Sequence, residues 1–437
     1  MTHAYRFSIH KHKLQLAATD GIDARTPNDT LVDYIIVNVA ERYDFILDGN
    51  QTIDNYLIVV ETLEDPDIIK QRDYCIKAHR GYAVLHYSGA SEQLPANFDD
   101  SYNPNTRCTE TTCYAVNCPF EDYSSSYNIS CINVDELQLI VKESVPNDGL
   151  NNDVFLNFGF NNLGATINSR KFILPESPIL SQEDATPPSK FCHYSQDPDS
   201  PDFGKQCIHV YTTTTDTVEL VYTNILGAKV AHPIHLHGHH FRVLKIGYPS
   251  YFENGTVDMP TKDITCGSKT NYNCNANVSW TNDTPPPTSL EDTLPQKDTI
   301  TVPFGGYVII RFPRDNWGWW IMHCHIEPHL LDGMAMLINE TSAPPNQPVP
   351  PEFPQCGNYE ATSSLIDPSV GQIDAVDQEA NSFRIATILL GVICGILLLT
   401  LIIFVAILIF WICSKKGKCY KRSKPAAEGG DVELSNM

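Results

Sequence analysis

Residues 323–334 carry the sequence His-Cys-His-Ile-Glu-Pro-His-Leu-Leu-Asp-Gly-Met, in which three histidines, one cysteine and one methionine fall within twelve positions. On a β-strand, successive side chains point to opposite faces of the sheet. We therefore expect His323 and His325 on one face and Cys324 on the other. Because Cys324 is covalently continuous with both histidines, the stretch predicts metal ligands on two faces of one strand and a path for electrons between them.

The side of this strand that carries the cysteine supplies most of a blue-copper ligand set. His329 follows Cys324 by five residues and Met334 follows it by ten, with a proline and a glycine that favour a looped segment. Two histidines, one cysteine and a weak axial methionine suit a metal that cycles between Cu(I) and Cu(II). The second histidine must come from elsewhere, and His232 is the best candidate. Zinc is the alternative metal, but histidines on both sides of the cysteine favour redox chemistry.

A second histidine-rich stretch, residues 232–241, has the sequence His-Pro-Ile-His-Leu-His-Gly-His-His-Phe. His235 and His237 are two positions apart and share one face of a strand. They are therefore expected to join His323 and His325 at a second metal site. A single buried histidine is usually a hydrogen-bonded core residue, but two such clusters are poorly explained by chance.

Residues 385–412 form an uncharged apolar run of 28 residues. About 20 apolar residues are enough to cross a bilayer as a helix, so the run predicts a tilted transmembrane helix. Six basic residues follow it directly: Lys415, Lys416, Lys418, Lys421, Arg422 and Lys424. The positive-inside rule then places the C-terminal tail in the cytosol and the N-terminal part outside, as in a single-pass protein of the plasma membrane.

Glycosylation sequons and cysteines support this orientation. Seven sequons precede the apolar run, at Asn28, Asn50, Asn128, Asn254, Asn277, Asn282 and Asn339. Eleven cysteines also precede it, and ten remain to form disulfides if Cys324 binds metal. The clusters Cys108, Cys113, Cys118, Cys131 and Cys266, Cys274 are typical of stapled loops, with the connectivity left open. Cys413 and Cys419 lie just inside the membrane, where unmodified thiols are favoured over palmitoylation.

The composition excludes one class of partner. The formal net charge is −22, whereas binding to nucleic acid requires clustered Lys and Arg, so no nucleic-acid partner is expected. The N-terminal sequence Met-Thr-His-Ala-Tyr-Arg-Phe has no apolar stretch of the kind found in signal peptides. A glycosylated, disulfide-bonded protein should have one, so we expect that the chain begins inside a longer protein.

The pattern before the apolar run indicates an all-β fold. Short runs rich in Val, Ile, Tyr and Thr alternate with turns of Pro, Gly, Asn and Asp, and no long amphipathic helical period occurs. Two β-sandwich domains fit the length, with a boundary near residues 147–149. The expected organisation has five parts: domains at 1–149 and 150–342, a Pro-rich and acidic stalk at 343–384, the transmembrane helix at 385–412 and a cytoplasmic tail at 413–437.

The two metal motifs, His-Pro-x-His-Leu-His-Gly-His and His-Cys-His-Ile-x-x-His-x-x-x-Gly-Met, resemble the C-terminal copper signatures of multicopper oxidases, most closely the laccase-like animal type. The segments Tyr-Arg-Phe-Ser-Ile at 5–9, Ala-Thr-Asp-Gly at 18–21 and Asn-Val-Ala-Glu-Arg-Tyr-Asp at 38–44 are similar to the middle domain of that family. The resemblance covers residues 1–345 and implies two cupredoxin-like Greek-key sandwich domains.

The resemblance also implies a role for each candidate ligand. Four residues would hold the type 1 copper that accepts electrons from the reductant: His232, Cys324, His329 and Met334. Four histidines would belong to the oxygen-reducing cluster: His235 as a type 2 ligand, and His237, His323 and His325 as type 3 ligands. His239 matches a family histidine that is not a ligand. Trp317 stands where the family more often has proline, a departure expected to affect loop shape.

The resemblance implies a copper-dependent oxidoreductase that couples one-electron oxidation of a small reductant to reduction of O2 to water. A phenol or diamine is favoured over ferrous iron as the reductant. An iron oxidase would need carboxylates beside His232 or His329, and Glu327 and Asp332 are near in sequence, but Glu327 is also usual in the motif and does not discriminate. The family's N-terminal motifs, His-Trp-His-Gly and His-Ser-His, are absent from the sequence, and His10-Lys-His12 lacks their context. We therefore expect that the family's N-terminal domain is missing and that this chain supplies only half of the histidines of the oxygen-reducing cluster. A membrane-tethered electron-transfer protein without oxidase activity is the alternative.

Overall fold

Runs rich in Val, Ile, Tyr and Phe form the strands of the protein, with turns at Gly, Asn, Asp and Pro between them. The computed structural model describes residues 4–63, 80–95, 108, 111–123, 128–150, 153–182, 186–197, 199–225, 230–252, 257–266, 274, 277–340 and 353. Within these residues the all-β prediction is confirmed, because strands predominate and the helices are short.

The strands before residue 150 form two sheets that share a core. In chain order they are β1 (Tyr5–Ile9), β2 (Leu14–Thr19), β3 (Ile22–Arg25), β4 (Tyr34–Val37), β5 (Tyr43–Leu47), β6 (Asn55–Thr62), β7 (Arg80–His86), β8 (Cys113–Val116), β9 (Ile129–Ile132) and β10 (Gln138–Leu139). The described strands are ordered β7-β6-β1-β4-β8-β9 in one sheet and β10-β3-β2-β5 in the other. Ile9 and Ile35 of the first sheet pack with Leu14 and Leu16 of the second.

The strands after residue 150 form the larger part of the described fold. In chain order they are β11 (Phe155–Asn161), β12 (Gly164–Ile167), β13 (Lys171–Phe172), β14 (Phe191–His193), β15 (Gln206–Thr212), β16 (Thr217–Thr223), β17 (His232–Leu236), β18 (Phe241–Gly247), β19 (Ser250–Tyr251), β20 (Val257–Met259), β21 (Ile264–Cys266), β22 (Val278–Trp280), β23 (Gln296–Lys297), β24 (Thr299–Val302), β25 (Tyr307–Pro313), β26 (Trp319–Cys324) and β27 (Ala335–Asn339). The α-helices found among the described residues are α1 (Ile179–Gln182) and α2 (Glu327–Leu331).

Two sheets of this second group enclose one apolar core. Their described strands are ordered β12-β11-β16-β25-β18-β23 and β13-β15-β27-β26-β17-β24, and β14 pairs with β15. Phe158 and Val243 of the first sheet pack in one cluster with Ile234 and Met322 of the second. Cys324 is part of this cluster and is fully buried, so the core places the cysteine of the sequence motif between two sheets.

Disulfides close several loops of the described chain, and three of the four bonds found there lie within the cysteine clusters noted in the sequence. Among these residues the bonds are Cys108–Cys113, Cys118–Cys131, Cys192–Cys207 and Cys266–Cys274. Cys324 is not in a disulfide and is buried. The cysteine proposed as a ligand is therefore kept apart from the cysteines that cross-link the fold.

Some predictions concern parts of the chain that are not described. No helix within the described residues is long and apolar enough to cross a membrane. The predicted span at 385–412 and the tail at 413–437 lie outside these residues, as does the stalk at 343–384 apart from Phe353. The domain boundary near 147–149 stays a prediction.

Candidate metal centre

The pairing of β17 with β26 sets the orientation of the candidate ligands. The two strands are antiparallel, with Ile234 opposite Cys324 and His235 opposite His323. Opposed residues of paired strands lie on the same face of the sheet. His235 and His323 therefore share one face, and Cys324 lies on the other with Ile234, as the alternation in the sequence predicted.

Three side chains converge on the cysteine face. The Sγ atom of Cys324 lies 3.7 Å from Nδ1 of His232 and 3.5 Å from Nδ1 of His329. Their potential ligand atoms all fall within 4.8 Å of one another. Ligands bonded to one metal at roughly 2.0–2.3 Å lie about 3.5 Å apart at trigonal or tetrahedral angles, so the three atoms have the spacing of a shared metal ion.

The chemistry of these groups also fits a metal. Burial raises the pKa of the Cys324 thiol to about 12 and lowers the pKa of His232 to about 3. Burial lowers the pKa of His329 as well, so both imidazoles are held in the neutral form that binds metal. The Nε2 atom of His232 is buried and has no hydrogen-bond partner among the residues that the structure describes. A buried thiol between two neutral imidazoles becomes a thiolate when a soft cation replaces its proton.

Met334 closes the loop that begins at Cys324. The Cys324 N–H donates to the Met334 carbonyl at 3.0 Å, and the Met334 N–H donates to the His329 carbonyl at 2.9 Å. The loop needs Gly333, which has φ +109° and lies so close to Phe172 and Lys171 that a Cβ atom would clash. Met334 is fully buried in the same apolar cluster as Cys324. Its role as an axial ligand stays a prediction.

Aromatic rings shield the cysteine face. The ring of Phe160 stands edge-on to His329, with centroids 5.0 Å apart, and lies 6.0 Å from the ring of His232. Phe158 approaches His232 from the core at 6.4 Å. An apolar shell of this kind limits access of water and strengthens the metal–thiolate interaction.

Four histidines gather on the opposite face. The Nε2 atoms of His237 and His323 lie 3.3 Å apart, close enough to bind one metal ion. The ring centroid of His235 lies 4.8 Å from His237 and 5.9 Å from His325, and His323 lies 5.4 Å from His325. The predicted second cluster of histidines is therefore assembled. The copper type of each histidine stays a prediction.

Hydrogen bonds orient two of these rings. Nδ1 of His235 lies 2.9 Å from the carbonyl oxygen of Asp298 and 3.0 Å from the hydroxyl oxygen of Thr299. Nδ1 of His323 lies 3.1 Å from the Cys324 carbonyl oxygen. Burial lowers the pKa of His323 to about 4, and burial together with His235 lowers the pKa of His237. For His323, a lowered pKa together with an engaged Nδ1 makes Nε2 the nitrogen that would bind a metal.

Other histidines that the sequence set aside have structural partners. His239 is buried against Glu340, with Nε2 3.2 Å from a carboxylate oxygen, in keeping with a position that is not a ligand. Nε2 of His12 lies 2.7 Å from the hydroxyl oxygen of Tyr87. Trp317, which stands where the family more often has proline, also has a partner: the guanidinium carbon of Arg314 lies over its ring, 4.6 Å from the centroid.

The sequence did not single out Asp298 or Thr299. They lie 63 and 64 residues after His235, and no motif connects them to it. Their role follows from strand pairing, because Thr299 of β24 is directly opposite His235 of β17. A sequence signal for this contact would require the pairing of these two strands to be known.

The site and fold define a class of β-sandwich proteins with a candidate His/Cys/His metal site, and comparison with known proteins identifies the family. Two family models, both described as multicopper oxidase, match residues 1–90 and 174–344, which together make up more than half of the chain. The chain belongs to the multicopper oxidase family, with a cupredoxin-like fold and laccases among its relatives.

Individual relatives cover only part of their own length. Laccase-3 of Botryotinia fuckeliana is 25% identical over 304 residues, which are 70% of this chain and 55% of that protein. Putative laccase-11 of Oryza sativa subsp. japonica is 32% identical over 213 residues, 44% of this chain and 34% of that protein. The chain spans about half the length of most of the curated relatives it matches.

Solved structures support the fold. Fet3p, described as a multicopper oxidase that functions in iron import, has a TM-score of 0.50 at 20% identity, over 77% of this chain and 53% of that chain. A variant of the laccase from B. aclada has a TM-score of 0.50 at 21% identity, over 78% of this chain and 50% of that chain. At these identities the likeness concerns the fold alone.

Proposed function

We propose that the protein acts as a laccase-like multicopper oxidase, coupling one-electron oxidation of a phenol or diamine to reduction of O2 to water. The convergence of His232, Cys324 and His329 on one face, directly joined to a four-histidine face, supports this function above all. In the proposal Met334 completes the set that holds the type 1 copper. Copper bound there would supply one-electron redox chemistry.

The residues of the chain define the route of the electron. His329 is half-buried, whereas His232 and Cys324 are fully buried, so the reductant meets the site at the His329 edge. Cys324 is bonded through the main chain to both His323 and His325. In the proposal the electron passes from the thiolate along this short covalent path to the opposite face, with no side-chain movement.

Contacts beside His329 favour an aromatic reductant over ferrous iron. The carboxylate of Asp332, three residues from His329, is held by Lys171 at 2.6 Å and by the Ala165 N–H at 2.8 Å. This carboxylate is neutralised by an ammonium group and is therefore a poor ligand for a second cation. The edge-on ring of Phe160 offers an aromatic contact next to His329.

The oxidase role requires more histidines than the described four. We propose that the intact protein receives them from an N-terminal domain, as the family resemblance implies. The alternative is a copper-binding electron-transfer protein without oxidase activity. We further propose a single-pass membrane protein whose copper domains are extracellular, with residues 385–412 as the anchor. The four disulfides found in the described part of the chain are consistent with that oxidising compartment.

Copper loading of the chain tests the proposal. We expect an intense blue absorption from the Cys324 thiolate, and a chain without it would contradict the type 1 assignment. Oxygen uptake is then compared with a phenol and with Fe(II) as reductant, in a transcript-derived protein extended upstream of Met1. Blue colour without oxygen uptake from either reductant would favour the electron-transfer alternative. An upstream sequence with His-Trp-His-Gly and His-Ser-His would favour the oxidase.

A further inference from the structure

The orientation of His235 depends on a short chain of hydrogen bonds. The Thr299 hydroxyl donates to Oδ1 of Asp298 at 2.8 Å, so its proton is directed away from the imidazole. The hydroxyl oxygen and the Asp298 carbonyl oxygen both face Nδ1 of His235 as acceptors. Two acceptors at Nδ1 call for an N–H there, so the tautomer of the neutral ring that fits these contacts has its proton on Nδ1 and its lone pair on Nε2.

A residue from the first half of the chain fixes the carboxylate at the end of this chain of bonds. Arg42 donates to both oxygens of Asp298, from Nη1 at 2.7 Å and from Nη2 at 2.6 Å. A planar guanidinium donates two parallel hydrogen bonds to the two oxygens of a carboxylate and so fixes its orientation, which a lysine ammonium does not. The Asp298 carboxylate is thus held in the position in which it accepts the hydrogen bond from the Thr299 hydroxyl.

The same half of the chain secures the strand behind His235. β24 pairs with β17 along one edge, and its other edge meets side-chain carboxylates. Asp20 accepts the main-chain N–H groups of Asp298 and Thr299 at 3.3 and 3.2 Å. Glu41 accepts the N–H and hydroxyl of Thr301 at 3.2 and 3.0 Å. At this edge, where no further strand pairs within the described residues, the carboxylates accept the main-chain N–H groups and hold the strand in place.

We propose that Arg42 is a positioning residue, which acts through Asp298 and Thr299 to hold His235 in the Nδ1-protonated form with Nε2 available to copper. The inference rests on the proposed function, because it takes His235 as a copper ligand. It gives the first half of the chain a part in the metal centre, although the candidate ligands all lie in the second half.

Variants of Arg42 in the full chain test this role through two measurements. The first is the tautomer of His235 in the copper-free chain, from ring ¹⁵N shifts assigned with a His235→Asn variant. The second is a Cu(II) titration that follows the non-blue signal of the histidine face and the blue absorption of the cysteine face separately. Arg25→Met is the matched control, because Arg25 pairs with Asp29 on the surface, 3.7 Å apart.

We expect Arg42→Met to give a mixture of His235 tautomers and to weaken non-blue copper binding about 10-fold, the lower end of the usual effect for outer-shell partners. Blue absorption should be unchanged, Arg42→Lys should give an intermediate loss, and Arg25→Met should match the wild type. Thr299→Val, which removes one of the two acceptors at Nδ1, should also mix the tautomers.

Three outcomes separate this inference from the proposed function. If Arg42→Met leaves both the tautomer and the copper affinity unchanged, the positioning role is wrong. An equal loss of blue and non-blue copper would indicate a general structural role and would also overturn it. If the wild-type chain takes up only blue copper, the ligand role of His235 fails, and the tautomer measurement still decides whether Arg42 positions the ring.

Discussion

The two faces of the β17–β26 pair hold their candidate ligands in different ways. On the cysteine face, His232 and Cys324 are fully buried and packed among apolar and aromatic side chains. On the histidine face, His237 and His325 are exposed, and His235 depends on hydrogen bonds for its orientation. One site is formed by the packing of a core, and the other by polar contacts on the opposite face of the sheet.

The difference shows what each face requires from the rest of the chain. A packed core holds a soft thiolate site away from water and needs no polar support beyond the loop itself. The exposed imidazoles of the histidine face are open to further ligands, but the ring of His235 has to be aligned by partners outside β17 and β26. Changes to the core should therefore alter the cysteine face, and changes to the first half of the chain should alter the histidine face.

Cys324→Ser tests the cysteine face with the largest expected effect. A serine hydroxyl does not supply a thiolate at neutral pH, so we expect complete loss of the blue absorption and of phenol oxidation, with folding and secretion retained. Absorption spectra and oxygen uptake of the copper-loaded protein extended upstream of Met1 measure this change. Phenol oxidation that survived the substitution would contradict the proposed electron route.

Lys297→Met tests the polar support behind the histidine face. Lys297 and Asp20 form a fully buried ion pair at 3.0 Å, and the ammonium also donates to Thr19. Removing one partner of a buried pair typically lowers the free energy of unfolding by about 3–5 kcal/mol, because the other charge stays buried. Urea denaturation of the variant measures the loss. For comparison, Arg25→Met removes an exposed pair and should have little effect, and an equal loss in both variants would contradict this explanation.

Low pH should destabilise the copper-free chain because His232 is buried on the cysteine face. The pKa of His232 is about 3 in the folded chain and about 6.5 when unfolded. Because the unfolded state binds the proton first, stability is present above pH 6.5 and is lost as the pH falls towards 3. Between pH 6.5 and 5 the loss is about 2 kcal/mol for this one group. Denaturation curves at both pH values measure it, and His232→Gln should reduce the slope; an unchanged slope would contradict burial as the cause.

The sequence predicted the arrangement of ligands better than it predicted their support. Alternation along a strand was enough to place Cys324 and His323 on opposite faces of the sheet, because the two-residue period of a strand is fixed by its geometry. The contacts that orient His235 could not be predicted. Asp298 lies 63 residues after His235, and Arg42, which holds Asp298, is 256 residues from it and meets it only through packing of the two halves. Disulfide connectivity was unpredictable for the same reason, although the cysteine clusters correctly indicated local pairs such as Cys266–Cys274.

Met334→Leu should have the smallest effect. It tests whether the Met334 side chain is needed to hold the metal on the cysteine face or only fills the core there. Leucine has a similar volume, and such swaps usually cost less than about 1.5 kcal/mol in a core. An axial methionine is a weak ligand that tunes the reduction potential and does not hold the metal. We therefore expect blue colour and turnover to persist while the potential changes, which redox titration of the blue band measures. Loss of the blue band with an intact fold would mean that His232, Cys324 and His329 do not hold the metal without the thioether.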